Sequence, residues 1–170
     1  HRFDPDTPLQ ETMQALVDLV RSGKALYAGI SNYPHEAAEY AYKYLAEHDV
    51  PCLLHQVKYN MMHRMPETDN LLEQAKAAGS GLIAFSPLAQ GVLTDRYLNG
   101  IPKDSRAARD FSLKSASITP DLVDRLQKLN ALAAERGQSM AQMALAWNLK
   151  DDLVTSVIIG ASSVAQIDDN

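Results

Sequence analysis

Ala25-Leu26-Tyr27-Ala28-Gly29-Ile30, followed by Ser31-Asn32, is an apolar run that stops abruptly at a hydroxyl and an amide. Three other short runs behave alike: Cys52–Val57 carries Gln56, Leu82–Phe85 stops at Ser86-Pro87-Leu88, and Val154–Ile159 stops at Gly160-Ala161-Ser162. Short apolar runs separated by long helical patterns are the signature of buried strands in a parallel sheet. Neighbouring parallel strands bring all four endings to one end of the molecule. In barrels of strands and helices that end carries the chemistry.

The intervening segments support an α/β class with parallel strands. Thr7-Pro8-Leu9-Gln10 predicts a helix start, with Thr7 as N-cap, Pro8 in the first helical position and Gln10 closing a capping box. Leu9, Met13, Leu16 and Val20 recur at helical spacing, Gly23 stops the helix, and Lys24–Ile30 is expected as the strand. Pro34 opens a helix rich in Ala and Tyr that ends before Pro51. Leu53–Val57, a helix over Glu67–Ala78 closed by Gly79, and the strand Leu82–Phe85 follow. From Gly91 to Ile118 the chain is long, polar and without clear period, the kind of segment that is usually functional or disordered. Thr119-Pro120 opens a helix to Arg136-Gly137, and Ser139-Met140-Ala141-Gln142 is a capping box opening another through Leu149. Leu153–Ile159 is the last strand, and Ser162 or Ser163 caps the last helix.

Four strands make about half of an eight-stranded barrel, which takes about 250 residues, or else an open parallel sheet. Residues 1–170 are expected to form a single domain. Both ends read as cut: the chain starts at His1 without an initiator Met or signal segment and stops at Asn170 two turns into a helix. A fragment lacking the N-terminal strands and the end of the last helix is the expectation.

At 46% hydrophobic and 22% charged residues the composition is that of a globular chain. A net charge of −5 argues against a general nucleic-acid footprint. No apolar stretch approaches the roughly 20 residues of a membrane span. The lone Cys52 cannot form an internal disulfide and reads as a buried thiol, which fits a cytoplasmic protein. Between Gly91 and Ser117, five cations (Arg96, Lys103, Arg106, Arg109, Lys114) face Asp95, Asp104 and Asp110. Such a loop suits a small anion such as a phosphate, or is simply a solvated charged loop. His35, His48, His55 and His63 lack metal-ligand spacing and read as surface or core histidines; no metal site is expected.

Each strand ending has two readings. Ser31-Asn32 either supplies an amide with both donor and acceptor to a nicotinamide carboxamide or is a plain turn. Gln56, a polar residue in a strand expected to be buried, either joins that contact or is satisfied by backbone. Phe85 either stacks on a flat ring, with Ser86 and the residues beyond meeting a pyrophosphate, or is core. Gly160-Ala161-Ser162 with Gln166, Asp169 and Asn170 either meets a phosphate at a helix start or only caps that helix. His1 is either functional or an exposed terminal residue, and Trp147 reads as the apolar face of a helix.

Gly23–Tyr33, Phe85–Gly91 and Ser156–Ser162 together resemble the aldo-keto reductase superfamily over nearly the whole chain. Arg96–Pro102 and Gly137–Leu145 resemble the branch that holds bacterial L-glyceraldehyde 3-phosphate reductases and the β subunits of voltage-gated potassium channels. The resemblance implies a (β/α)8 TIM barrel binding NADP(H), of which this chain carries about the last four βα units. It implies that Ser31, Asn32 and Gln56 grip the carboxamide and that Phe85 stacks on the nicotinamide, where relatives carry Tyr or Trp. Ser86, Pro87, Leu88, Ala89 and Gln90, with Arg96 and Arg106, would line the pyrophosphate and adenosine side. Gly160, Ser162, Gln166, Asp169 and Asn170 would hold the adenosine and its 2′-phosphate. His1 falls where relatives carry the His that orients the substrate carbonyl, while their Tyr, Lys and Asp would lie upstream, so this piece alone is expected to reduce no aldehyde. The activity implied is reduction of L-glyceraldehyde 3-phosphate or another small aldehyde or ketone by hydride transfer. The alternative is an NADPH-binding regulatory subunit. Other barrel enzymes need a catalytic Lys or Glu at strand ends, and the four endings have none.

Overall fold

The computed structural model describes residues 1–170. Four parallel strands, β1 (Ala28–Ser31), β2 (Cys52–Lys58), β3 (Gly81–Phe85) and β4 (Ser156–Ile158), form one sheet in sequential order. Around them lie α1 (Leu9–Arg21), α2 (His35–Glu47), α3 (Met65–Thr68), α4 (Leu71–Ala77), α5 (Pro120–Glu135), α6 (Met140–Asn148) and α7 (Val164–Asp169). The sequential order is that of a barrel wall, in which each helix carries the chain back to start the next strand.

Register sorts the side chains into two faces. Ile30, His55, Val57, Leu82 and Ala84 point to one face and are all at most 3% exposed. That face packs against the helices in a cluster of 20 buried residues, among them Met13 and Val17 of α1, Ala38, Ala41 and Leu45 of α2, and Leu72 and Ala75 of α4. The other face aligns Ser31 with Gln56 and Ile83, and Lys58 with Phe85 and Ile158. It is only partly covered: Gln56, Ile83 and Phe85 are half-buried, and Lys58 and Ile158 exposed.

Several local expectations are corrected. Thr7 does not cap α1: its hydroxyl donates to Asp4 Oδ2 at 2.7 Å, and Pro8 stands at the N-cap with no side-chain bond. The first strand starts at Ala28 rather than Lys24, leaving Leu26 and Tyr27 exposed before the sheet. The helix expected over Glu67–Ala78 is two pieces, because Asn70 takes a left-handed φ of 57°. Asn tolerates that conformation through its short polar side chain, so the chain turns there without a glycine. The last strand is three residues rather than seven.

The segment from Gly91 to Ile118 is built of short 3-10 turns, yet it has a core of its own. Val92, Leu93, Tyr97 and Ala107 are buried against Leu126 and Ala133 of α5 and Met140, Met143 and Ala144 of α6. A period-based reading misses it because these apolar residues are anchors of turns, not one face of a regular element. Thr119 and Ser139 do cap α5 and α6, the latter in a full capping box with Gln142, and Ser163 caps α7. No helix is long and apolar enough to cross a membrane.

Candidate functional site

A cleft of about 1150 Å³ opens beyond the C-terminal ends of β3 and β4. Phe85, Ser86, Pro87, Leu88 and Gln90 form one wall, and Gly160, Ser162, Gln166, Asp169 and Asn170 another. Arg96, Arg106 and Arg109 reach it from the 3-10 segment, together with Thr94, Asp95, Tyr97 and Asp104. Ser139, Met140 and Ala141 at the start of α6 and Asn130 of α5 also line it. Segments roughly seventy residues apart thus converge on one space.

The wall from β3 depends on unusual backbone. Ser86, Ala89 and Gln90 all have positive φ, at 55°, 48° and 62°, which turns the chain sharply off the strand end. Non-glycine residues hold such conformations only when their surroundings fix them. Here the Leu88 carbonyl accepts from Gly91 and Leu93 at 2.9 and 3.1 Å, and the Ser86 carbonyl accepts from Ala89 at 2.9 Å. On the opposite wall, Ser162 donates from its backbone N–H and its hydroxyl to Gln166 Oε1, at 2.7 and 3.1 Å. Gln142 Nε2 donates to the Asp169 carbonyl at 2.7 Å, fastening α7 to α6.

The charges in the cleft nearly cancel. Arg96 pairs with Asp104 at 2.7 Å, and Asp95 and Asp169 also line the space. Arg106 and Arg109 are exposed and in no ion pair, so they are the cations left for an incoming anion. Lys103 and Lys114, counted in the cationic loop, do not line the cleft.

The remaining candidates lie along the sheet end. Asn32 has a left-handed φ of 55°; its N–H donates to the Gln56 carbonyl at 3.0 Å and its Nδ2 to Ser31 Oγ at 2.9 Å. Gln56 is half-buried on the second face of the sheet, aligned with Ser31 and Ile83. Ser31, Asn32 and Gln56 adjoin one another but do not line the cleft, and neither does Ala89. His1 is exposed and likewise outside its lining.

His55 is a core residue with no exposed surface. Its Nε2 accepts from the Tyr33 N–H at 3.3 Å, which leaves Nδ1 to donate to the Tyr42 hydroxyl at 2.8 Å. Burial lowers its pKa to about 4, so it stays neutral. Cys52 is buried, and burial pushes its thiol up.

Sequence reasoning missed a polar knot beneath the β2 end. The Tyr59 hydroxyl donates to Glu67, Lys150 donates to Tyr59 at 2.8 Å and to Glu67 at 3.0 Å, and Arg64 pairs with Glu67. Trp147, read as an apolar helix face, stacks obliquely on Tyr59 at 5.2 Å and takes the Lys150 ammonium over its ring at 4.4 Å. Burial and the bond to Glu67 raise the Tyr59 pKa to about 12. Its members lie up to 91 positions apart, so no local pattern announces it.

The family model for the aldo/keto reductase family matches residues 1–170. The L-glyceraldehyde 3-phosphate reductase of Escherichia coli K12 is 49% identical over 175 residues, covering 100% of this chain and 50% of that protein. A putative voltage-gated potassium channel β subunit of Schizosaccharomyces pombe is 34% identical, over 100% of this chain and 51% of its own length. The crystal structure of the thermostable aldo-keto reductase Tm1743 with the inhibitor epalrestat matches with a TM-score of 0.68 at 28% identity, covering 100% of this chain and 50% of that one. The chain spans about half the length of the relatives it matches. Its four-stranded parallel sheet is accordingly part of a TIM barrel.

Proposed function

This chain belongs to the aldo/keto reductase family, and from that premise we propose that its cleft holds the dinucleotide NADP(H) for reduction of a small aldehyde or ketone. One observation carries the reading: Phe85, Ser86, Pro87, Leu88 and Gln90, the unpaired Arg106, and Gly160, Ser162, Gln166, Asp169 and Asn170 meet around one space large enough for a dinucleotide. The residue types fit the group. Phe85 offers a half-exposed ring at a strand end for stacking. Arg106, and Arg96 when released from Asp104, answer phosphate. Gly160 leaves open space where a Cβ would stand, so a ligand can approach its backbone.

In this reading the nicotinamide end reaches out of the cleft along the sheet end, where the adjoining Ser31, Asn32 and Gln56 hold its carboxamide. Ser86, Pro87, Leu88 and Gln90 line the pyrophosphate with Arg96 and Arg106, and Ala89, outside the lining, only shapes the turn. Ser162, Gln166, Asp169 and Asn170 flank the adenosine and its 2′-phosphate. When bound, NADPH supplies the hydride. His1, at the start of the chain, orients the substrate carbonyl. The 49% identity to L-glyceraldehyde 3-phosphate reductase favours a short phosphorylated aldose as substrate.

The test is titration of the complete protein with NADPH and NADH, followed by the cofactor's own fluorescence, and then by loss of dihydronicotinamide absorbance on adding L-glyceraldehyde 3-phosphate. Saturable NADPH binding and turnover are expected. A folded protein that binds neither dinucleotide overturns the proposal.

A further inference from the structure

We propose that Asn60, just past the end of β2, is a positioning residue that fastens the Ser86 turn and thereby sets where β3 presents Phe85 and Ser86 to the cleft. The inference rests on the cofactor reading above and deepens it. Asn60 is 1% exposed and does not line the cleft, so it acts only through what it holds. Its Nδ2 donates to the Ser86 carbonyl at 2.8 Å. Its Oδ1 accepts from the N–H groups of Met62 and His63 at 3.0 and 2.9 Å. Its backbone pairs reciprocally with His63, at 3.2 and 3.0 Å. The asparagine is thus itself immobilised, which makes it a stiff support rather than a loose contact.

What it supports needs support. Ser86 sits at φ 55°, a conformation a side-chain-bearing residue keeps only under outside constraint. The neighbouring Tyr59 N–H also reaches the Phe85 carbonyl, at 3.4 Å. Two successive carbonyls of the proposed ring-stacking and pyrophosphate wall are therefore tied to two successive residues just past the end of β2. The other wall of the cleft, Gly160–Asn170, has no bond to Asn60. This asymmetry distinguishes positioning from general stabilisation.

Asn60→Asp tests it: the shape and the acceptor for Met62 and His63 persist, while the donor to Ser86 becomes an oxygen facing an oxygen. The complete wild-type protein, Asn60→Asp and Asn60→Ala are titrated with NADPH and with adenosine 2′,5′-bisphosphate, which lacks the nicotinamide half. The expected result is a Kd for NADPH raised several-fold, through the misplaced Phe85 and Ser86 contacts, and a clearly smaller rise for the bisphosphate, whose adenosine and 2′-phosphate rest on the Gly160–Asn170 wall. Should Asn60→Ala fail to fold, Asn60→Asp carries the result. Wild-type affinity for both ligands in Asn60→Asp overturns the inference, as does an equal loss for both. A wild-type protein that binds neither ligand overturns the cofactor reading itself, and this inference with it.

Discussion

The Tyr42 hydroxyl and His55 Nδ1 lie 2.8 Å apart in the core, joining α2 to β2. A buried neutral imidazole makes folding pH-dependent with a definite sign. The pKa of His55 is about 4 in the folded protein, against 6.5 when exposed. Between those values the unfolded chain binds the extra proton, so stability is full above about pH 6.5 and falls as pH drops towards 4. The integrated loss is about 3 kcal/mol. Denaturant midpoints measured across this range are expected to fall with pH, and His55→Asn, though less stable, is expected to show a shallower slope. Parallel slopes would show that His55 is not the titrating group.

Gly29 faces Leu54 across the β1–β2 pair. A Cβ there would meet the Leu54 carbonyl oxygen at 2.9 Å and its Cδ1 at 3.0 Å. One of those atoms is backbone, so relief requires the strands to part. Gly29→Ala is expected to cost about 1–3 kcal/mol, the range for overpacking, seen as a lower denaturant midpoint at constant m-value. An unchanged midpoint would mean that the strands shift freely.

Lys150, Glu67 and Tyr59 form a knot in which each group satisfies the others. Burial pushes the Glu67 carboxyl up, but bonds from Tyr59, Lys150 and Arg64 outweigh it and hold the pKa below the usual carboxylate range. Lys150→Met strips both the ammonium bonds and the contact over Trp147, and is expected to cost about 1–3 kcal/mol. Tyr59→Phe leaves the Lys150–Glu67 pair and is expected to cost less. Thermal unfolding of the two variants checks the order; the reverse order would place the weight on the hydroxyl.

Asp104 neutralises Arg96 at the rim of the cleft. If phosphate binds there, Asp104→Asn frees the guanidinium and tightens NADPH binding about two- to fivefold at low salt, with the gain fading as salt rises, because both side chains are solvent-exposed. Weaker binding in the variant would mean that the pair serves to hold Arg96 in place.

Much of the fold was legible. Four apolar runs became four strands in sequential order, and Ser139-Met140-Ala141-Gln142 became a capping box as written. Such features depend on neighbours within a few positions, which a sequence displays directly. Asn70 broke a helix whose apolar spacing looked continuous, because one left-handed residue resets the helical phase without disturbing composition. That Gln56 shares a face with Ser31 and Ile83, opposite the helix-packed face, depends on register with the neighbouring strands, which no single strand displays.

By itself the sequence determined the element types, their order and the polar residues that end each strand, since period, caps and turn chemistry are local. The tertiary structure alone decided that Ser31, Asn32 and Gln56 lie outside the cleft that Phe85, Arg106 and Ser162 share, and that Asn60 stands behind it, holding the Ser86 carbonyl. Convergence and support of that kind are set by parallel register and by hydrogen bonds between segments far apart in the chain, distances to which residue order gives no key.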